Sequence, residues 1–145
     1  MLGTNDLKTI LSAGFIEIRT GAQPASSNSA ATGTLLCRIY SVEGTSTGIS
    51  FDAPVDNVLS KAAAETWSGT GLTTGTAGWF RFYQYNTSYA NSVTEGQKDD
   101  SSSKNNSRFD GSVSTSGADM NLSSVSVVSG VLVTIDAFSI TMPES

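Results

Sequence analysis

The sequence predicts an all-β protein. The expected form is a β-sandwich or jelly-roll-like single domain over 1–145, with one short N-terminal helix and a long polar insertion over 86–107. Three observations predict it. Apolar and polar residues alternate in short runs, the period of half-buried strands. Ser, Thr, Asn and Gly separate the runs; these residues supply turns and compete with helical backbone. Charged residues are only 14 % of the chain, against about 25 % in an ordinary soluble domain, and Ser, Thr, Asn and Gly fill the difference. A length of 145 residues suits one domain with one core.

The densest aromatic run is Gly75-Thr76-Ala77-Gly78-Trp79-Phe80-Arg81-Phe82-Tyr83-Gln84-Tyr85. Aromatics favour the pleated surface, so it reads as a strand. Alternation places Phe80 and Phe82 on one face, which belongs in a core. Trp79, Arg81, Tyr83 and Tyr85 fall on the other. Aromatics and Arg are enriched at interface cores, so this face is a candidate contact. The alternative is that it is covered by a second sheet of the same domain, because Trp and Tyr often sit half-buried.

Taken in order, Thr4 to Gly14 carries the one helix signal. Thr4 or Asn5 caps it, Asp6 suits its positive end, and Leu7, Ile10 and Leu11 share a face. Gly14 stops it. So short a helix needs something to pack on: its own sheet or a neighbouring subunit. Phe15 to Thr20 is a strand with Ile16 and Ile18 inward and Glu17 and Arg19 outward. A polar loop runs from Gly21 to Gly33. Thr34 to Val42 is a strand with Leu35, Cys37 and Ile39 on one face. Gly44 to Gly48 is a turn, followed by a short strand candidate over Ile49 to Phe51.

Residues 52–70 read least clearly. Val58 to Glu65 fits two helical turns or an edge strand; the β character of the neighbouring segments favours the extended form. Arg108 to Val113 resumes the fold, with Asp110-Gly111 as a turn signal, and Ser116 to Asp119 is a second turn. Met120 to Val128 holds one or two short strands. Val131 to Met142 closes the chain. There Val131, Val133 and Ile135 set one phase, while Phe138, Ile140 and Met142 set the opposite one. A bulge near Asp136-Ala137 would restore the register; otherwise the segment passes from one sheet to another.

The composition argues against several functions. Histidine is absent, which removes the commonest general base and metal ligand. The single cysteine, Cys37, cannot form an intrachain disulfide, and its setting is that of a small buried hydrophobe. Gly69, Gly71 and Gly75 lack the lysine and the βαβ frame of a nucleotide loop. The pair Ser101 and Lys104 lies in the polar insertion and not in the helical setting of a Ser-Lys dyad. The carboxylates Asp52, Asp56, Glu65, Asp110, Asp119 and Asp136 each neighbour a turn or strand-edge signal, where Asp is common for structural reasons. Asp99-Asp100 lacks calcium-loop spacing. No enzymatic activity, metal or organic cofactor is expected. A net charge of −5 argues against nucleic acid as a partner. No apolar run reaches the length of a membrane span. The start of the chain lacks a signal-peptide pattern, so folding in a cytoplasm is expected. The Asn-x-Ser/Thr triplets at Asn86, Asn105 and Asn121 are then without consequence.

Five segments carry a resemblance. Ile18–Ala25, Ala30–Leu36, Gly75–Arg81, Phe109–Val113 and Phe138–Pro143 occur in this order in a set of small virion-associated proteins of tailed bacteriophages. The chain resembles that family over most of its length outside 86–107. The resemblance implies a virion structural protein made in the host cytoplasm, and it supplies no catalytic residues. The first expectation is a capsid decoration (cement) protein, a homo-oligomer that binds the assembled shell through the major capsid protein. The alternative is a neck, tail or fibre component with the long polar loop facing outward toward a host glycan; aromatic faces serve sugar binding as well as protein binding. In either case Leu7, Ile10, Leu11, Trp79, Arg81, Tyr83 and Tyr85 are the candidate interface residues. A dimer or trimer would cover the edge strands of such a fold.

Overall fold

The computed structural model describes residues 14–27, 29–41, 48–83, 108–135 and 137–141. The expected helix up to residue 13, the turn over 44–48 except its last residue, and the insertion over 86–107 lie outside them. Among the described residues the structure is all-β, with no helix. The strands are β1 (Phe15–Arg19), β2 (Leu35–Ile39), β3 (Val58–Ser60), β4 (Ser68–Thr70), β5 (Gly75–Thr76), β6 (Trp79–Tyr83), β7 (Arg108–Ser114), β8 (Met120–Asn121), β9 (Ser126–Val127), β10 (Leu132–Thr134) and β11 (Ser139–Thr141).

A five-stranded sheet in the order β2-β1-β6-β7-β8 forms the frame. Its pairs are antiparallel except β7 with β8, which is parallel. Three two-stranded ladders complete the structure: β10 with β4, β11 with β3, and β5 with β9. A backbone bridge between Tyr40 and Ser68 joins β4 to the free side of β2.

One face of the sheet is apolar. Ile16, Ile18, Cys37, Ile39, Phe80, Phe82 and Val113 are all buried there. Rings from the segments outside the sheet cover it. Phe138 meets Phe80 edge-on at 5.6 Å between centroids, Phe51 meets Phe82 at 6.4 Å, and Trp67 meets Phe51 edge-on at 5.3 Å. Such offset and edge-to-face contacts add to the transfer free energy of the rings.

Several expectations hold. β1, β6 and the short strands at β8 and β9 fall where alternation placed them. Residues 58–60 are extended, as favoured over helix. The closing segment crosses between ladders: β10 pairs with β4 and β11 with β3. That crossing resolves the phase conflict, since Ile135 and Phe138 are both buried although they belong to opposite phases.

Three expectations are corrected. Glu17 and Arg19 were expected in solvent, yet they are 0 % and 4 % exposed, because the opposite face of the sheet is covered too. Asp110-Gly111 is not a turn but the middle of β7. Gly111 is needed there because a Cβ would stand 2.4 Å from the Phe80 ring. Leu35 does not share a face with Cys37. The register slips so that Cys37 opposes Ile18 while Leu35 opposes Arg19, leaving Leu36 as the extra residue of a bulge. The Leu36 carbonyl turns aside and accepts from the Leu72 amide at 2.7 Å.

Gly69 fixes how β4 meets β2. A Cβ there would lie 1.8 Å from the Arg38 carbonyl oxygen, a backbone atom that cannot swing away. Gly69→Ala is expected to cost about 1–3 kcal/mol or more, as forced overpacking does, measured by urea unfolding. An unchanged midpoint would show that the two strands do not approach this closely.

Candidate functional site

The second face of the sheet carries charge. Arg38 opposes Glu17, Glu17 opposes Arg81, and Arg81 opposes Asp110. Four strands thus place alternating signs in one row. Glu17 Oε2 accepts from Arg38 Nε at 2.8 Å, and Oε1 accepts from Arg19 Nη2 at 3.5 Å. Arg81 holds Asp110 with both prongs of its guanidinium, Nε to Oδ1 at 2.5 Å and Nη2 to Oδ2 at 2.8 Å. The Glu17, Arg19, Arg81 and Asp110 side chains are all 4 % exposed or less. Charges this deep persist only when paired and hydrogen-bonded.

The loop over 21–33 provides the cover. Its ends are tied by the Thr20 amide on the Thr34 carbonyl at 3.1 Å and the Thr34 amide on Thr20 Oγ1 at 2.9 Å. Its carbonyls accept from the buried guanidinia: Ser29 from Arg81 Nη1 at 2.8 Å, Ser26 from Arg81 Nη2 at 3.4 Å, and Gly33 from Arg19 Nη1 at 3.4 Å. Trp79 lies beside this cluster. Its Nε1 donates to the Thr20 carbonyl at 3.2 Å, and the Arg81 guanidinium sits 5.2 Å from its ring centroid. In the adjoining row Phe15 stacks between Tyr40 and Tyr83. Burial raises the pKa of the Tyr40 hydroxyl; Arg38 lowers it and Glu17 raises it further.

The structure therefore brings Trp79, Arg81 and Tyr83 together, but within the chain. They are 0 %, 0 % and 2 % exposed, so they present no free surface. The cover is a loop and neighbouring strands of the same chain, rather than a second sheet. Leu7, Ile10, Leu11 and Tyr85 lie outside the described residues. Sequence reasoning missed that Glu17 and Asp110 oppose Arg81 and that Arg38 pairs with Glu17. Charge alternating with Ile in a strand reads as a solvent face, and only strand pairing shows that the signs match.

The carboxylates considered for catalysis hold turns and strands. Asp52 Oδ2 accepts from the Ala63 amide at 2.9 Å. Glu65 Oε1 accepts from the Ser50 amide at 2.8 Å and its hydroxyl at 2.7 Å. Asp119 Oδ2 accepts from the Ser112 amide at 2.9 Å. Asp56 sits in a left-handed turn at φ 51°. Asp136, Ser101 and Lys104 fall outside the described residues. Among the described residues no group of three or more acidic or cysteine side chains is placed to hold a metal, and no helix is long and apolar enough to cross a membrane. Burial pushes the Cys37 thiol up to about 12 from an ordinary 9.0, which keeps it protonated and unreactive.

No protein-family model, curated protein or solved structure matches the chain.

Two outcomes are expected. Arg81→Ala or Asp110→Ala leaves a buried charge without its partner and should cost about 3–5 kcal/mol. The double variant should cost less than the two singles added, with about 1–3 kcal/mol of coupling. Thermolysin should also cut within 21–33 sooner in Arg81→Ala; equal cutting rates would detach the loop from the arginine.

The second outcome concerns pH. The folded thiol of Cys37 titrates above its unfolded value, so its contribution is complete below pH 9.0 and is lost as pH rises toward about 12. Tyr40 acts in the same sense above 10.0. The thiol alone should lower the unfolding free energy by up to about 1.4 kcal/mol per pH unit above pH 9, so the fall should be shallower in Cys37→Ala. Parallel slopes in the two proteins would rule out the thiol as the source.

Proposed function

We propose that the chain is a structural protein of a tailed-bacteriophage virion, a decoration protein that binds the assembled capsid as a homo-oligomer and stiffens it. The observation that carries this reading is what the resembling segments do. Ile18–Ala25, Ala30–Leu36, Gly75–Arg81 and Phe109–Val113 supply Arg19, Thr20, Gly33, Thr34, Trp79, Arg81 and Asp110. Those residues fasten the 21–33 loop to the sheet. The features shared with the phage proteins are thus internal clasps that hold a rigid shape. A protein that acts by fitting against a shell needs such clasps. In this proposal the fold is a β-sandwich, with the five-stranded sheet as one layer and the segments bearing Phe51, Trp67 and Phe138 as the other.

Its partners are the major capsid protein and further copies of itself, and its location is the virion surface. The neck, tail or fibre alternative rests on the polar insertion over 86–107 facing a host glycan, with an aromatic face as a second sugar contact. Burial of Trp79 and Tyr83 withdraws the aromatic face alone from that alternative.

Particles of the phage that encodes the chain provide the test. The protein should fractionate with filled heads, and adding it back to stripped heads should raise the temperature at which they burst. Recovery in tail fractions alone would favour the alternative, and absence from every particle fraction would sink both.

A further inference from the structure

Three stretches of the sequence carry no charged residue: 20–37, 66–80 and 120–135. The fold gathers all three at one end. The Leu72 amide donates to the Leu36 carbonyl at 2.7 Å, and Trp79 Nε1 donates to the Thr20 carbonyl at 3.2 Å. The Gly71 amide donates to the Val131 carbonyl at 2.9 Å, and Gly130 donates back to Gly71 at 2.8 Å. Ser129 N reaches Thr74 Oγ1 at 3.1 Å, and β5 pairs with β9. The result is an uncharged surface of Ser, Thr and Gly.

Four aliphatic side chains project from that surface. Leu72, Val131 and Leu132 are each 53 % exposed, and Val128 is 44 % exposed. They surround the Gly71–Gly130 contact. Beside them runs β10, which ends its ladder; among the described residues no strand pairs with its far side. Edge strands are ordinarily blunted by charge, proline or a bulge. Val131-Leu132-Val133-Thr134 contains neither charge nor proline.

We propose that this surface is the contact between two copies of the chain, with β10 pairing antiparallel to β10 of the second copy about a two-fold axis. The inference deepens the homo-oligomer in the proposed function and rests on that reading. The open edge selects the occupant. A second copy presents the same unpaired β10, and a face without charged residues keeps the chain's net charge of −5 away from the contact. A neutral face meeting itself buries no charge on either side. A two-fold contact also satisfies both open edges at once and closes, which prevents further strand addition. The four aliphatics form the centre of the contact and the uncharged residues around them its rim.

The test is the solution mass of the purified full-length chain by sedimentation equilibrium. At about 100 µM, where micromolar association is saturated, the wild type should weigh twice the 15.0 kDa chain. Leu132→Glu should weaken the dimer by about 100-fold or more through like-charge juxtaposition. Leu132→Lys should do the same, and an equimolar mixture of the two should dimerise again. Val55→Glu, on a distant turn and 68 % exposed in the wild type, should leave the dimer intact. At concentrations low enough for the wild type to be monomeric, all variants should melt at the wild-type temperature, since each site is exposed in the single chain. A monomeric or trimeric wild type, or a dimer that survives Leu132→Glu combined with Val131→Asp, overturns the proposal. Head binding is read separately: a monomer retained on heads refutes this contact alone, while a dimer that never binds heads refutes the virion reading alone.

Discussion

The Arg81–Asp110 pair and the Glu17 carboxylate beside it constrain the rest of the sheet. Charges this deep are tolerated only in mutual contact, so their pairing fixes which residues oppose one another. A shift of β1 against β6 by two residues would set Arg19 opposite Arg81. The same shift of β7 against β6 would set Arg108 opposite Arg81. Like charges directly opposite destabilise a strand pair, so both slips are penalised. A shift by one residue would drive Glu17 into the Phe face instead. Hydrophobic alternation alone would allow the two-residue slips; the charged row forbids them.

The same row explains how a polar loop is held to the sheet at Ser26, Ser29 and Gly33. The Arg81 guanidinium has more donors than Asp110 can accept, and the Ser26 and Ser29 carbonyls take the surplus. A side chain placed to fix strand register thus also positions the loop. Trp79 joins the two by packing on the guanidinium and donating to Thr20.

Much of this was legible in the sequence. Period-two alternation located β1 and β6, and turn residues located the breaks around Ser116 to Asp119. The opposed phases of Val133 and Phe138 already required a bulge or a crossing. What alternation could not show is which strand lies beside which. Glu17 read as solvent-facing because the residues that oppose it, Arg38 and Arg81, are 21 and 64 positions away in the chain, and Arg19 because the Gly33 carbonyl it donates to lies 14 positions on. Asp110-Gly111 read as a turn because the pair is a common turn signal. Here the aspartate is held by Arg81 and the glycine makes room for Phe80. Tertiary contact overrode the local signal in both cases. The aromatic run was identified as strand, but its Trp/Arg/Tyr face looks the same in sequence whether the cover is another protein or the chain's own loop.

That ambiguity carries a physical lesson about the candidate surfaces. Trp and Arg are favoured at contacts because they bury area and keep a polar handle, and both properties serve equally well inside one chain. Composition therefore marks Trp79 and Arg81 as residues that will be covered, without saying by what. An uncharged run is ambiguous in the opposite way. Residues 66–80 and 120–135 contain buried strand residues, which explains part of their neutrality. Burial does not explain the absence of charge at Leu72, Val128, Val131 and Leu132, where Lys or Glu would cost the folded monomer nothing in desolvation. The exposed aliphatics are thus a better guide to an external contact than the aromatic strand, because the monomer gives no other reason for them.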